Sequence, residues 1–393
     1  MANSNPQLGK LKAGYLFPEI QRRKEAFLAK EPTAKLVNLG IGDTTHPFAP
    51  FVAEQMSSYA LGLGTPQGYS GYGPDQGDPD LRTRITERMY HGAIDPSEIF
   101  ISDGAKCDCG RLLLLFEQGS TIAVQDPVYP VYVDTSLISG VAENIIRMPC
   151  TPQNGFFPDP VKADLIYLCS PNNPTGSAAT KEQLKAYVDF AKENGSIIIY
   201  DAAYSSFITD ETLPRSIFEI EGSREVAIEV NSFSKLAGFT GLRLGWTVVP
   251  NELRFSDGSS VKKAWSRIMS TFFNGASNIA QQAGKAVLED EGWEQGQNVI
   301  RQYLENAHLI KETFISLGYP CYGGDHAPYV WVDYSPKTSW EAFEELLNHT
   351  HVVAIPGSGF GGAGEHFVRF SAFASREMVL EAMSRLSQQH AYG

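Results

Sequence analysis

The chain has 393 residues, of which 42% are hydrophobic and 20% are charged, and its formal net charge is −13 at pH 7. This composition is ordinary for a globular enzyme and excludes wholesale disorder. The negative charge argues against nucleic acid or an anionic membrane as the main partner, although it leaves room for a local basic pocket that binds anionic substrates.

The cysteines and the amino terminus indicate where the protein works. Five cysteines, an odd number scattered over a long chain, favour free thiols in a reducing compartment, and Cys107-Asp-Cys109 lacks a second pair at zinc spacing. The first residues show neither a secretory signal nor a transit pattern, and no apolar run is long enough to span a membrane. We therefore expect a cytoplasmic protein with no metal site and no membrane contact.

Two segments precede the regular part of the chain. Residues 1–45 form an arm whose charged, helical piece ends near Ala29, and whose apolar residues Tyr15 to Phe17 need a surface to cover. The stretch Gly62 to Asp80 is rich in glycine, proline and aspartate, so it is neither a helix nor a central strand. It is either a flexible surface loop or an ordered loop that presents the hydroxyl of Tyr69 or Tyr72 to a site.

From residue 99 onward, short apolar runs alternate with turns and helical patterns. The predicted strands are Ile99–Ser102, Thr121–Gln125, Glu143–Met148, Leu165–Cys169, Ile197–Tyr200, Ala227–Val230 and Trp246–Val249. An amphipathic helix is predicted over Lys181–Glu193, where Leu184, Val188 and Ala191 share one face. Buried strands that alternate with helices indicate an α/β fold with a mostly parallel seven-stranded sheet between helices.

Polar and aromatic residues follow five of these strands. Ligands bind beyond the carboxyl ends of strands in such sheets, so these residues are candidates for one shared site. In chain order they are Ala105 and Lys106 at a helix start, Tyr129, Asn173, the pair Asp201 and Tyr204, and Lys235.

The stretch around Lys235 predicts a pyridoxal phosphate (PLP) site. A lysine amine forms an imine with an aldehyde only when it is deprotonated, which partial burial or a cationic neighbour favours. Ser232 and Ser234 offer hydroxyl donors, and Arg243 offers a planar fork that suits a phosphate. A Ser-x-Ser-Lys run alone is more often a surface loop, but the arginine in register favours the cofactor.

The other strand-end residues match the remaining needs of PLP. Asp201 is the candidate for the carboxylate that keeps the pyridine nitrogen protonated. Asn173 and Tyr204 could bond the ring 3-oxygen, and Tyr129 could stack on the ring. Each is an ordinary turn residue when taken singly, and only their joint order favours function.

After Pro250 the pattern changes to a smaller α+β unit. Helices are predicted over Lys262–Ile268, over Asn278–Leu317 with a break near Glu291, and over Ser339–Leu347, and strands over Tyr329–Val332 and Val352–Ile355. A glycine-rich turn from Pro356 then runs into a strand that holds Arg369. An arginine in an apolar strand is costly to bury unless it meets an anion, so we predict that Arg369 binds a carboxylate. The predicted domains are the arm 1–45, a large cofactor-binding domain 46–277, and an interdomain helix with the small domain 278–393.

With these residues in place, the chain resembles the class I/II aminotransferases of PLP fold type I. The matching pieces are Asn172-Asn-Pro-Thr-Gly176, Asp201-Ala-Ala-Tyr204, Ser232-Phe-Ser-Lys235 with Arg243, and Arg369. Within this family it is similar to the LL-diaminopimelate aminotransferase group, in the pieces Leu11 to Ile20, Leu39 to Thr45, Gly68 to Gly73, Ser102 to Lys106 and Ser234 to Gly241.

The resemblance implies a homodimer with shared active sites, in which Lys235 is catalytic and Tyr72 and Asn274 come from the partner subunit. It implies these cofactor contacts: Tyr72, Ala105, Lys106, Tyr129, Asn173, Asp201, Tyr204, Ser232, Ser234, Lys235, Arg243 and Asn274. The implied substrate contacts are Tyr15, Gly42, Asp75, Lys106, Tyr129, Asn173, Asn274 and Arg369. Asp75 stands where a glutamate facing the distal ammonium is expected, and its shorter side chain would loosen discrimination there.

The resemblance also implies a ping-pong reaction. LL-2,6-diaminopimelate would give its amino group to the cofactor and leave as a keto acid that cyclises to tetrahydrodipicolinate, and 2-oxoglutarate would then accept the group to become glutamate. This reaction belongs to lysine and meso-diaminopimelate biosynthesis. The alternatives are a transaminase for aspartate or aromatic amino acids, a PLP-dependent lyase, and a non-catalytic regulator on the same fold.

Overall fold

The computed structural model describes residues 2–11 and 16–392, and this part of the chain contains 13 strands and 12 α-helices. The strands are β1 Val37–Asn38, β2 Ile99–Ser102, β3 Ser120–Asp126, β4 Ala142–Pro149, β5 Leu165–Cys169, β6 Ile197–Asp201, β7 Ala227–Ser232, β8 Gly245–Val248, β9 Cys321–Gly323, β10 Tyr329–Asp333, β11 Val352–Val353, β12 Ile355–Pro356 and β13 Phe367–Ser371.

The α-helices surround the sheets. They are α1 Leu16–Lys30, α2 Pro50–Gly62, α3 Pro79–Tyr90, α4 Ala105–Leu112, α5 Val131–Ser139, α6 Lys181–Asn194, α7 Phe233–Leu236, α8 Val261–Phe272, α9 Asn278–Leu288, α10 Asp290–Ser316, α11 Ser339–Glu345 and α12 Arg376–Tyr392. Short 3₁₀ turns span Pro6–Lys10, Pro96–Glu98, Leu113–Leu115, Pro152–Asn154, Ser205–Phe207, Ile217–Glu219, Ser223–Glu225, Gly357–Phe360 and Gly362–Gly364, and a π turn spans Leu346–Thr350. Within the described ranges, no helix is both long enough and apolar enough to cross a membrane.

The central sheet has seven strands in the order β2-β8-β7-β6-β5-β3-β4. Strand β8 runs antiparallel to both of its neighbours, and the other adjacent pairs are parallel. All seven predicted runs are strands of this sheet, so the predicted fold class and the mostly parallel arrangement are confirmed. The prediction succeeded because β5 and β7 are buried along their whole length, which requires the continuous apolar runs seen in the sequence.

Helix α6 shows how local signals fix the layer that covers this sheet. The Thr180 hydroxyl accepts a hydrogen bond from the backbone N–H of Gln183 at 3.2 Å, and Gly195 ends the helix with φ of 70°. Leu184 and Val188 are fully buried against the sheet, as predicted. Burial of each such side chain contributes about 1.5–3 kcal/mol.

Two smaller sheets form the rest of the core. Strands β12-β13-β10-β9 make an antiparallel sheet, and β1 pairs in parallel with β11. The predicted single strand Val352–Ile355 is therefore wrong in one respect. Its first half pairs with β1 and its last residue with β13, so the chain changes sheets at Ala354.

Two helix predictions also need adjustment. The predicted break near Glu291 lies at Glu289, whose extended backbone separates α9 from α10. The helix predicted to end at Leu347 passes at Leu346 into the π turn, which His351 ends with φ of 56°. In the arm, Leu16 and Phe27 pack in the same apolar cluster as Trp331, so these two residues cover another part of the chain, whereas Phe17 is 41% exposed.

Candidate active site

A cavity of about 470 Å³ opens at the carboxyl ends of β5, β6 and β7, where the central sheet faces the four-stranded sheet. It brings together 12 of the residues predicted for the site. They are Gly42, Ala105, Lys106, Tyr129, Asn173, Asp201, Tyr204, Ser232, Ser234, Lys235, Arg243 and Arg369. Residues separated by most of the chain thus share one cavity.

Lys235 lies on the short helix α7, directly after β7. The Ser232 hydroxyl caps this helix by accepting a hydrogen bond from the Ser234 N–H at 3.0 Å, and the Lys235 Nζ donates to the carbonyl of Gly42. Burial lowers the pKa of the Lys235 amine to about 8; nearby Asp43 opposes this shift, and the positive charge of Arg369 adds to it. The amine is therefore far easier to deprotonate than that of an ordinary lysine.

Asp201 ends β6 and is 7% exposed. Its Oδ2 accepts a hydrogen bond from the Tyr132 hydroxyl at 2.6 Å, and its Oδ1 accepts one from the Ala203 N–H at 2.9 Å. Burial raises the pKa of Asp201, and these two donors oppose that shift. No ion pair with Asp201 is found within residues 2–11 and 16–392, so this buried carboxylate suits a cationic ring nitrogen of a ligand.

The start of α4 and Arg243 form one end of the cavity. Gly104 precedes the helix with φ of 125° and ψ of 156°, and a methyl group built on it would lie 2.6 Å from Nη2 of Arg243. Arg243 itself has φ of 67° and donates from Nη1 to the Thr240 carbonyl at 3.0 Å. A helix amino terminus beside a guanidinium, with the Ser232 and Ser234 side chains lining the same cavity, suits a phosphate.

The buried carboxylate of Asp108 stabilises the end of the cavity that the start of α4 and Arg243 form. It accepts hydrogen bonds from the hydroxyls of Ser102 at 2.5 Å and Thr247 at 2.8 Å, and burial raises its pKa to about 6. The Ser102 hydroxyl in turn accepts a hydrogen bond from the Gly104 N–H at 3.2 Å. Asp108 thereby ties the start of α4 to strand β8.

Arg369 stands in β13 and is 2% exposed. Its Nη1 donates to Oδ1 of Asn173 at 2.7 Å and its Nη2 to the Gly40 carbonyl at 3.0 Å, while Nε is buried without a partner. No carboxylate within the described ranges forms an ion pair with this guanidinium. The buried charge is therefore poised to bind an anion from outside the chain, as the sequence predicts.

Some cavity residues escaped the sequence reasoning. Tyr132 is an example: it lies only three positions after Tyr129, and its bond to Asp201 was not foreseen. Tyr329, whose hydroxyl lies 2.7 Å from that of Tyr204, was assigned only to a strand. The other cavity residues missed are Phe17, Asp43, Pro130, Cys169, Ala203, Thr240 and Phe360. Most of these are apolar or small residues, which also occur in ordinary cores and so carry no signal; Asp43, a carboxylate within the stretch Leu39 to Thr45, is the exception.

Three predicted site residues lie outside this cavity. Tyr72 is 88% exposed, and Asp75 and Asn274 are exposed as well. The loop that holds Tyr72 is fixed by the Asn278 side chain, whose Nδ2 donates to Ser70 Oγ at 3.0 Å and to the Gly71 carbonyl at 2.8 Å. Tyr15 lies outside the described residues.

The residues of the cavity fit PLP in their donor chemistry. An amine with a depressed pKa, a buried carboxylate that no cation of the described residues pairs with, and a group of donors suited to a phosphate lie in a single space of suitable size for a cofactor with a small substrate. The buried guanidinium supplies a further anion-binding group in the same cavity.

Comparisons with known proteins agree with this reading. The family model described as aminotransferase class I and II matches residues 34–386. The chain is 54% identical to a protein of Protochlamydia amoebophila (strain UWE25) named LL-diaminopimelate aminotransferase, over 98% of this chain and 97% of that protein. It is also 54% identical to the chloroplastic LL-diaminopimelate aminotransferase of Arabidopsis thaliana, over 98% of this chain and 86% of that one.

A solved structure matches as well. L,L-diaminopimelate aminotransferase from Chlamydomonas reinhardtii superposes with a TM-score of 0.94 at 51% identity, covering 100% of this chain and 99% of that chain. The architecture is that of PLP fold type I, and enzymes of this family are PLP-dependent transaminases. The chain belongs to the class I and II aminotransferases.

Proposed function

We propose that this enzyme transfers an amino group from LL-2,6-diaminopimelate to 2-oxoglutarate, giving tetrahydrodipicolinate and glutamate, with PLP held by Lys235. The observation that carries the aminotransferase part is the Lys235 amine, with its lowered pKa, in one cavity with Asp201 and Arg369. The names of the relatives from Protochlamydia and Arabidopsis support the choice of substrate.

PLP, when bound, supplies an electron sink that stabilises negative charge at the substrate Cα. The protein keeps this sink effective because the carboxylate of Asp201 favours a protonated ring nitrogen. Tyr204 and Asn173, which line the cavity, would bond the ring oxygen, and Tyr129, which also lines it, would pack on the ring. Gly104, the start of α4 and Arg243 would hold the phosphate.

Lys235 also moves the proton. With the substrate bound, the neutral Lys235 amine would serve as the base for the Cα proton, and the protonated amine would then act as the acid that returns this proton. A pKa of about 8 leaves a useful neutral fraction close to neutral pH, whereas an ordinary lysine at 10.5 would be almost fully charged.

Arg369 orients the substrate. Its fork would bind the carboxylate next to the reacting carbon, which fixes the Cα–H bond relative to the ring and to Lys235. In the proposed homodimer, Tyr72 and Asn274 would come from the partner subunit, and Asp75 would face the distal ammonium of the substrate. The exposed Tyr69, Tyr72 and Phe272 side chains support such a contact, because large exposed apolar groups are typical of interfaces. We place this dimer in the cytoplasm.

A half-reaction tests the substrate. The purified yellow enzyme is mixed with LL-diaminopimelate and, separately, with meso-diaminopimelate, aspartate and tyrosine, and the loss of the cofactor absorbance is followed. We expect rapid bleaching by the LL isomer and recovery on adding 2-oxoglutarate. If only aspartate or tyrosine bleached the enzyme, the assigned substrate would be wrong. A protein that stays colourless after PLP is added would refute the cofactor assignment.

A variant tests the role of Lys235. K235A should bind PLP without a covalent link and should show no turnover, because it lacks both the anchor and the base. K185A, which removes an exposed lysine on α6, is the control and should behave like the wild type. Full activity of K235A would overturn the mechanism.

A further inference from the structure

Tyr329 begins β10 in the four-stranded sheet and faces the cavity with its side chain 1% exposed. Its hydroxyl lies 2.7 Å from the hydroxyl of Tyr204, and the two rings meet edge to face at 5.4 Å. On its other side, the Arg369 guanidinium carbon lies over the Tyr329 ring, 4.4 Å from the ring centre. Tyr329 thus touches both the anion-binding arginine and the tyrosine that faces the cofactor ring.

We infer that Tyr329 is a positioning residue that couples carboxylate binding at Arg369 to the hydrogen bond that Tyr204 donates to the ring oxygen of the cofactor. This inference rests on the proposed function, since it uses the assignments of Tyr204 and Arg369. It adds a hydrogen-bonded link between Tyr329 of the four-stranded sheet and Tyr204, which follows β6 of the central sheet.

The direction of the path follows from the charges. A cation over a phenol ring makes its hydroxyl more acidic, so Tyr329 is the better donor of the pair and Tyr204 the acceptor. A hydroxyl that accepts a hydrogen bond becomes a stronger donor itself, by cooperativity. The proton of Tyr204 is therefore free to point to the ring oxygen. When a carboxylate neutralises Arg369, the Tyr329 hydroxyl becomes a weaker donor to Tyr204. The Tyr204 hydroxyl in turn becomes a weaker donor to the ring oxygen.

A second path from Arg369 leads through Asn173. The Nη1 group donates to Asn173 Oδ1 at 2.7 Å, and Asn173 lines the same cavity. Loss of the Tyr329 hydroxyl should therefore remove only part of the response to a bound carboxylate. This partial loss separates a coupling role from a general collapse of the site.

The readout is the colour of the holoenzyme. A proton is shared between the Lys235 nitrogen and the ring oxygen, and its loss on raising the pH changes the cofactor absorbance. A strong bond from Tyr204 draws negative charge from the ring oxygen, which then holds this proton less tightly. Weaker donation from Tyr204 should therefore raise the midpoint of the absorbance titration.

The experiment titrates the wild-type holoenzyme and Y329F, each with and without saturating glutarate, a dicarboxylate that has neither an amino nor a keto group. Without glutarate, Y329F should have a midpoint higher by about 0.1–0.7 pH unit, which corresponds to losing roughly a tenth to a third of one charge-assisted bond. Glutarate should raise the wild-type midpoint, and it should raise that of Y329F by less.

Two variants complete the test. Y187F removes another buried hydroxyl, which donates to the Pro158 carbonyl at 2.9 Å away from the cavity, and should titrate like the wild type. In a Y204F background, Y329F should add no further shift, because the path runs through Tyr204. Y204F alone should also show a reduced response to glutarate, which tests the path even if Y329F does not fold.

The inference is overturned if Y329F matches the wild type in midpoint and in glutarate response. It is also overturned if Y187F shifts equally, if the effect of Y329F persists in Y204F, or if Y204F keeps the full glutarate response. A wild-type protein that binds no PLP would instead refute the proposed function, so the two failures are distinguishable.

Discussion

Replacing Gly104 by alanine should weaken only the part of PLP binding that comes from contacts with its phosphate. The φ of 125° and ψ of 156° at this position form a backbone conformation that is essentially restricted to glycine, and a side chain held there costs about 1–3 kcal/mol. The added methyl group would also lie 2.6 Å from Nη2 of Arg243, so relief of the strain displaces either the guanidinium or the start of α4. Both groups belong to the proposed phosphate cradle.

If that strain is relieved at the cradle, PLP affinity should fall by about 5- to 150-fold, since 1.36 kcal/mol corresponds to a factor of ten. The assay titrates the apoprotein with PLP and with pyridoxal, which lacks the phosphate, and follows the cofactor absorbance. Pyridoxal affinity should change little, because Lys235 and Asp201 are untouched.

The matched control is G119A. Gly119 has φ of 90° but no atom within 4 Å of an added methyl group, so this variant carries backbone strain without a collision. It should lose some stability to heat and keep its PLP affinity. The reasoning is refuted if G104A binds PLP as tightly as G119A does, or if PLP and pyridoxal weaken by the same factor.

Three further results are expected. R369K should lose about 10- to 150-fold in kcat/KM for the amino donor, because a single ammonium cannot reproduce the fork that binds a carboxylate, and unchanged kinetics would contradict the clamp. The rate of PLP capture by the apoprotein should rise with pH, reach half of its maximum near pH 8 and level off about one pH unit higher, where the Lys235 amine has lost its proton; a rate that still climbs at pH 10 would indicate an ordinary lysine. Inactive K235A and Y72A chains, unfolded and refolded together, should regain activity in mixed dimers with one intact site, and a mixture that stays inactive would argue against shared sites.

The central sheet was predictable because each of its strands corresponds to a short apolar run in the sequence. Strands such as Leu165–Cys169 are buried on both faces, so they must be continuous apolar runs, and their turn residues mark their ends. Parallel strands bring these ends to one edge, so Asp201, Tyr204 and Lys235 could be assigned to one site before their distances were known. The charges of Arg243 and Arg369 added these two residues as anion-binding groups, and the resemblance to the family extended the assignment to Gly42.

The contacts that were missed depend on tertiary structure. Tyr329 meets Tyr204 only because the four-stranded sheet packs against the end of β6, and no local pattern records that meeting. The strand Val352–Ile355 looked continuous because a change of partner at Ala354 leaves the apolar pattern intact. Tyr72, Asp75 and Asn274 lie outside the cavity of their own chain, and so their role in a site stays a prediction.

The connection that carries both Lys235 and Arg243 begins at Ser232 and ends at Gly245, and these two residues are opposite each other in the paired strands β7 and β8. The proposed covalent anchor and the proposed phosphate anchor of the cofactor therefore lie on one loop closed at its base. Local opening of this loop would displace both anchors together, and release of PLP would further require water to hydrolyse the imine at Lys235. We therefore expect loss of PLP in cofactor-free buffer to follow local opening of this loop together with imine hydrolysis, without unfolding of the whole protein.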